Sequence, residues 1–594
     1  MRWQVILAVV VLGIPAVGRG QTLAERVPGD AVLYVGWQGS EGMGAGFDKS
    51  HLKAVLDSSN LPQMFNDVVP RVIARVGQEN PEVGQLLQLV SGLGAPMWRH
   101  PTAFYVGGVD FKAAGGPRPK AALMCNAGKE AEGLLKQIDA VAMQLVGSPF
   151  PVRTFRQGDL VVISVGYEAE AGAVVAPGEV AKSLVGNVQF KQAVGQVNKE
   201  PVVIGYVDVE GLLKQVGQGV ELQGGAEAAA NWAKVVGALG VEGLKRIVWT
   251  GGFDGADWST QCFVAAPGPR SGLLTMIDNK PVSDEMLKAI PKTAAWMMIG
   301  RFDLGKFASE LRTAAGKVDP QAQQGFDMAM GVAQMALVMN VQKDLFEPIG
   351  DQWALYSDPG NAGRGFVGVT LVNRLNKPDE AQKALGKLEL FIDNTVNGQL
   401  ARQKMRVSFE QTKVGDTNIH YVQLPLVAPS WAIKNGNLYA ALYPQTVAAA
   451  TAQGTGSGSI LDSGEFVALR KRLGGEKATG MSYTDLPRSV EQGYQLWLMG
   501  SQLAVGMADL FGIKTPPMVI PPLPRLKEHL SPAASFSWTD EAGWHMKSLS
   551  PFPGAQLLGS EGGVIGAAAV LPVVGLFRLK QHRQAPAAPV EMGR

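Results

Sequence analysis

Two cysteines among 594 residues leave this chain without a disulfide framework. Cys125 and Cys262 sit in strand-like runs, Ala122–Asn126 and Gln261–Ala265, which leaves open either one bridge or two buried thiols. Neither has a Cys-x-x-Cys partner, so zinc, haem and iron–sulfur motifs are excluded. Histidine is also scarce: His51, His100, His420, His529, His545 and His582 form no His-Glu-x-x-His and no pair at helical spacing. No Gly-x-Ser-x-Gly elbow occurs, which removes that class of serine hydrolase. Excess charge of either sign is missing too. With 54 Lys+Arg against 52 Asp+Glu and no basic stripe, nothing draws the chain to nucleic acid. These gaps give no catalytic residue, no cofactor-binding residue and no metal ligand, so the expected cofactor list is empty.

What the chain does have is repetition. Ile204-Gly205-Tyr206-Val207-Asp208-Val209 is echoed by Ile299-Gly300-Arg301-Phe302-Asp303-Leu304 and by Met481-Ser482-Tyr483-Thr484-Asp485-Leu486. Each is a short apolar run ending in Asp, followed by helical spacing. An Asp at a strand-to-helix junction can accept the free N–H groups of the first helical turn, so capping accounts for all three.

Longer correspondences keep the same order along the chain. Val27-Pro28-Gly29-Asp30-Ala31 matches Ile290-Pro291-Lys292-Thr293-Ala294, and Phe155–Leu160 matches Ile433–Leu438 around a Gly-centred hairpin turn. Ser183-Leu184-Val185 with Phe190 matches Ser459-Ile460-Leu461 with Phe466. Asp254 with Trp258 matches Asp540 with Trp544, and the offset between copies drifts only from 263 to 286 residues. Ordered matches of this kind predict an internal duplication. Lobe one covers 25–270 and lobe two 285–555. Strands joined by hairpins, interleaved with helices such as Ala131–Val146 and Asp379–Asp393, predict an α+β fold with mostly antiparallel or mixed sheets. Lobe two gains an extra strand pair, Arg406–Gln411 and Asn418–Leu424, divided by Gly415-Asp416.

The ends read as an address. Arg2, the apolar Val5–Ile14 and the small residues from Ala16 to Gly20 form a secretory leader over 1–24, cut after Gly20 or Ala24. At the other end Gly562–Phe577 carries no charge over 16 residues and precedes Arg578, Lys580 and Arg583. That order suits a C-terminal transmembrane tail at 560–580 with a cytoplasmic basic flank, although it is short and holds Pro572. The expected location is outside the cytoplasm, periplasmic or at the cell surface. The apolar helix Val490–Phe511 carries Gln492, Gln495, Ser501 and Gln502 and reads as packed in a core. Gly454–Ser459 lacks the Gly-Lys-Ser/Thr ending of a phosphate loop and reads as a plain loop.

Several stretches together resemble a family. Val27-Pro28-x-Asp30-Ala31-Val32-Leu33-Tyr34, Asp344-Leu345-Phe346-x-x-Ile349-Gly350-Asp351-x-Trp353-Ala354, and the ending Ser550-Pro551-Phe552-Pro553-Gly554 before Leu571-Pro572 are similar to exported bacterial proteins of domain-of-unknown-function family 3352, above all its two-lobed planctomycete members. The resemblance implies an envelope protein without an assigned reaction and offers no catalytic residues. The tail departs from the family pattern, with Val570-Leu571-Pro572-Val573-Val574 in place of a Leu-Leu-Pro-Ala-Leu run.

Three functions follow as expectations. The first is a non-enzymatic binding or structural protein, tethered to the membrane by its tail and meeting an envelope protein or polymer. The second is a hydrolase of envelope or extracellular polymer, which requires two acids, or an acid and a His, brought together in a cleft. The third is an apolar-ligand carrier with a closed cavity lined by Met297, Met298, Met328, Met330 and Met335. Trp249, Trp258, Trp538 and Trp544 could stack on carbohydrate or close the end of a sheet core.

Overall fold

The computed structural model describes residues 22–559, apart from 80, 114–115, 144–149, 199, 364–365, 401–406, 454–457, 511 and 515. The leader up to residue 21, the tail at 560–580 and most of Gly454–Ser459 lie outside the described residues.

Eighteen strands join in one sheet. The first half contributes β1 (Leu33–Trp37), β2 (Thr102–Asp110), β3 (Arg118–Asn126), β4 (Val152–Gln157), β5 (Leu160–Val165), β6 (Val203–Asp208), β7 (Arg246–Asp254) and β8 (Asp257–Ala265). The second contributes β9 (Trp296–Arg301), β10 (Gln352–Ser357), β11 (Val369–Arg374), β12 (Phe409–Val414), β13 (Thr417–Val422), β14 (Ser430–Lys434), β15 (Asn437–Ala441), β16 (Gly480–Thr484), β17 (Ala533–Thr539) and β18 (Gly543–Ser550). Every pairing is antiparallel. From its outer edge the first half runs β4-β5-β3-β2-β1-β6-β7-β8. Outside its extra hairpin β12–β13, the second runs β14-β15-β11-β10-β9-β16-β17-β18. The fold is mixed α and β, as expected, but the lobes are not separate sheets.

The seam is β8 against β18, from Trp258↔Ser550 to Ala265↔Gly543. One offset, 286, relates Asp254 to Asp540 and Gln261 to Lys547, and Gln261 and Lys547 face each other directly in the seam. A contact whose central residue meets its own counterpart is isologous, as in a two-fold dimer.

Other details recur. Pro28 bridges Ser183 as Pro291 bridges Ser459. Leu184 N–H donates to Val27 O at 2.8 Å, and Ile460 N–H to Ile290 O at 2.9 Å. Phe190 meets Tyr206 edge-on at 5.0 Å and 78°, and Phe466 meets Tyr483 at 5.6 Å and 83°. Both Gly-centred hairpins are two-residue turns, Gly158-Asp159 and Asn435-Gly436. Asn435 and Gly436 take φ of 52° and 75°, the left-handed pair that suits a tight hairpin.

Alternating side chains give the sheet two faces. On one face Tyr34, Tyr105, Met124 and Tyr206 enter one core, and Met297, Tyr356, Tyr439 and Tyr483 enter another. At the seam Phe263, His545 and Trp538 stack between these cores.

Antiparallel alternation also sends the ends of β1 and β16 to one side of the sheet, and those of β6 and β9 to the other. Helices follow each exit: α1 (Leu61–Glu79) and α2 (Pro81–Arg99) after β1, and α3 (Val209–Leu239) after β6. In the second half α4 (Leu304–Val318) and α5 (Pro320–Leu337) follow β9, then come α6 (Pro378–Leu400) and, after β16, α7 (Leu486–Leu510). Each end is therefore built from both halves. The helix α3 packs on α4 at one end, and Val55 meets Leu486 and Val490 at the other.

The expectation of a core-packed helix over Val490–Phe511 needs correction. Leu486 and Val490 are buried, whereas Leu498, Met499, Leu503 and Leu510 are exposed, because α7 runs on past the sheet. Among the described residues no helix is long and apolar enough to cross a membrane.

The repeated Asp residues cap as the sequence predicts. Asp208 accepts from Gly211 N–H at 3.2 Å, Asp303 from Lys306 at 2.8 Å and Asp485 from Arg488 at 3.1 Å. Replacing Asp303 or Asp485 with Ala should cost about 1 kcal/mol each. A lowered urea midpoint checks this, and unchanged midpoints would contradict the capping role.

Candidate functional site

Two of the scattered histidines are buried: His420 is 7% exposed and His545 6%. His420 stands on β13, in the hairpin that only the second half has. Ile419 and Ala432 turn into the core with no exposure, so their neighbours His420 and Trp431 face the other way. These two pair directly across β13 and β14. Their rings stack at 4.0 Å and 15°.

The helix α6 covers this face. Its Gln382 and Glu389 are seven residues apart, two turns, and so share one side of the helix. Glu389 Oε1 lies 2.9 Å from His420 Nδ1 and accepts from Trp431 Nε1–H at 3.1 Å. An ionised carboxylate can only accept, so Glu389 holds a proton on Nδ1 and, in the neutral ring, Nε2 is the acceptor. Gln382 Nε2 approaches that atom at 3.4 Å.

His420 lines a cavity of about 440 Å³ together with Gln382, Gln411, Thr417, Asn418 and Ile433. At its rim Lys434 donates to Asp416 Oδ1 at 2.7 Å and to Thr417 Oγ1 at 3.1 Å, so these charges cancel locally. The lining holds no serine or cysteine. The arrangement offers an oriented imidazole, neutral amides on three elements and one neutralised ion pair. This suits hydrogen bonding to a polar neutral ligand, and the base could also activate a water.

Sequence reasoning passed over this site because Glu389 and His420 are 31 residues apart on different elements. Gln382 and Glu389 on one helical face, and His420 opposite Trp431 in adjacent strands, were the signals that could have found it.

His545, His51 and His100 serve contacts, and His582 lies outside the described residues. His545 Nε2 lies 3.0 Å from Asp540, within the seam stack. His51 lies 3.9 Å from Asp257, which also accepts from Ser531 Oγ at 2.7 Å and so links the two halves. His100 sits between Glu41 and Glu130 at 3.6 and 3.7 Å. Among the described residues no three His, Cys, Asp or Glu side chains gather to hold a metal.

The five methionines do not share one lining among the described residues: Met297 is buried in the second core, Met330 is half-buried, and Met298, Met328 and Met335 are exposed, since 297 and 298 alternate across the sheet. Nor do the tryptophans make an open platform. Trp258 and Trp538 are buried, Trp249 lies over Gly205, and Lys477 Nζ sits 4.1 Å from the Trp538 ring centre. Cys125 and Cys262 are both free thiols. Burial pushes the Cys125 thiol up to about 11 and also raises Cys262, which makes both poor nucleophiles.

Comparisons with protein-family models, with curated proteins and with solved structures find no match. The site is therefore read from its own geometry.

Burial lowers the pKa of His545, with Asp540 opposing, and lowers that of His51, with Asp257 opposing. The unfolded chain takes up these protons near pH 6.5, about the ordinary histidine value, and the folded chain only at lower pH. Stability is therefore full above pH 7 and falls as pH drops from there towards 5. Thermal melts across that range should show the slope, and His545→Gln should flatten it. An unchanged slope in the variant would remove His545 from the account.

Proposed function

We propose that this chain is an exported envelope protein, a member of the family it resembles, held at the membrane by its tail at 560–580. In this reading its two halves descend from one duplicated unit, and the added hairpin of the second half carries a non-enzymatic binding site. The repeated strand order, the paired bridges at Ser183 and Ser459 and the isologous seam support the duplication.

The observation that carries the binding role is the Gln382–His420–Glu389 arrangement beside a polar cavity. Neutral amides, a hydroxyl and a fixed acceptor nitrogen match a hydroxyl-rich neutral ligand, such as a saccharide unit of an envelope polymer. The same Glu389–His420 pair supports a second reading, a polymer hydrolase with His420 as general base.

Titration of the full chain with neutral oligosaccharides from envelope polymer should show saturable binding. His420→Ala and Gln382→Ala should each weaken it about tenfold, the loss of roughly one good hydrogen bond. Intact oligosaccharide after long incubation favours binding alone, and cleavage lost in Glu389→Gln favours the hydrolase. No binding of any member would overturn both readings. For the address, fractionation should find the chain in the membrane fraction with its lobes open to external protease. Lobes cut only from the cytoplasmic side would contradict it.

A further inference from the structure

The second half buries a negative charge that no basic side chain answers. Asp358 follows β10 directly, has no exposure, and makes no ion pair among the described residues. Its partners are neutral donors: Gly360 N–H at 2.9 Å, Thr293 Oγ1–H at 3.0 Å and Gln453 Nε2–H at 3.1 Å. With that nitrogen turned to Asp358, Gln453 Oε1 is buried without a partner. Asn361, which is 5% exposed, and the Thr370 hydroxyl both face the buried Tyr356 hydroxyl, and beyond one another these groups reach no well-aligned partner among the described residues.

These groups are neighbours by construction. Tyr356 and Thr370 are directly opposite across β10 and β11. Asn361 returns its backbone N–H to Asp358 O at 3.0 Å. Each buried polar atom left unpaired costs about 1–3 kcal/mol, and a lone buried carboxylate costs more.

The first half carries its carboxylate differently: Asp30, the counterpart of Thr293, is exposed and acts on Tyr105 and Tyr167 from there. Val32 N–H donates to Val106 O where Ala295 N–H donates to Ser357 O, which aligns Tyr105 with Tyr356 and Gly107 with Asp358. There the Tyr105 hydroxyl donates to Ala173 O at 2.5 Å. The Tyr167 hydroxyl fills the space that a side chain at position 107 would enter. What is particular to the second half is that its carboxylate is fully buried, and that burial calls for a local cause.

We propose that Asp358, Asn361, Gln453 and the hydroxyls of Tyr356 and Thr370 form a binding site for a monovalent alkali cation, Na⁺ or K⁺. Oxygen-only donors suit a hard cation. A single carboxylate makes the site neutral with one positive charge, whereas a divalent ion would leave a net charge buried.

The test uses the full chain, melted in sodium, potassium or choline chloride at one ionic strength. One alkali cation should raise the melting temperature in a saturable way above choline, and Asp358→Asn should abolish the difference. Asn361→Ala, which keeps the carboxylate, should raise the half-saturating concentration about tenfold. Crystals soaked in rubidium or thallium(I) should show an anomalous peak beside Asp358. Equal melting in choline and both alkali salts, or an alkali response that survives in Asp358→Asn, would overturn the site and leave buried water as the partner.

Discussion

The antiparallel pairing of β8 with β18 is the constraint on which the other features depend. It ties residues almost three hundred positions apart and turns two half-sheets into one. Because the pairing is isologous, the exits of the strands alternate so that each end of the sheet receives helices from both halves. The helix packing of α3 on α4, and of Val55 on Leu486 and Val490, follows from that geometry. Residues near the seam answer to it as well. Phe263, His545 and Trp538 bridge two otherwise separate cores, while Gln261 and Lys547 keep the centre polar.

Symmetry of the frame makes its departures informative. Where the halves agree, as in the capping Asp residues and the Pro–Ser bridges, side chains hold backbone in place. Where they differ, polar groups accumulate. The β12–β13 hairpin brings His420 under α6, and the change from Gly107 to Asp358 introduces a buried carboxylate. Both proposed sites lie in the second half.

Local physics was legible in the sequence and long-range pairing was not. The three Asp caps, the two-residue turns and the extra hairpin each depend on a few adjacent residues, so their chemistry can be read directly. The seam involves two strands whose alternation looks like that of any other hairpin arm, and nothing local marks them as partners. The same limit hid Glu389 from His420. For α7, the expected packing holds at Val490, where the reading over Val490–Phe511 began. Spacing alone could not say that the sheet ends before Met499 does.

The most direct measurement replaces Gln261 and Lys547 with cysteine in a chain whose Cys125 and Cys262 are alanine. Directly opposed strand residues have Cβ atoms about 4.5–5.5 Å apart, close enough to be bridged with a small adjustment. Mild oxidation of the folded monomer should form one intramolecular disulfide, whereas a Gln261Cys/Ser550Cys control should not. Failure of the first pair to cross-link, or equal cross-linking of the control, would contradict the seam and the two-fold arrangement built on it.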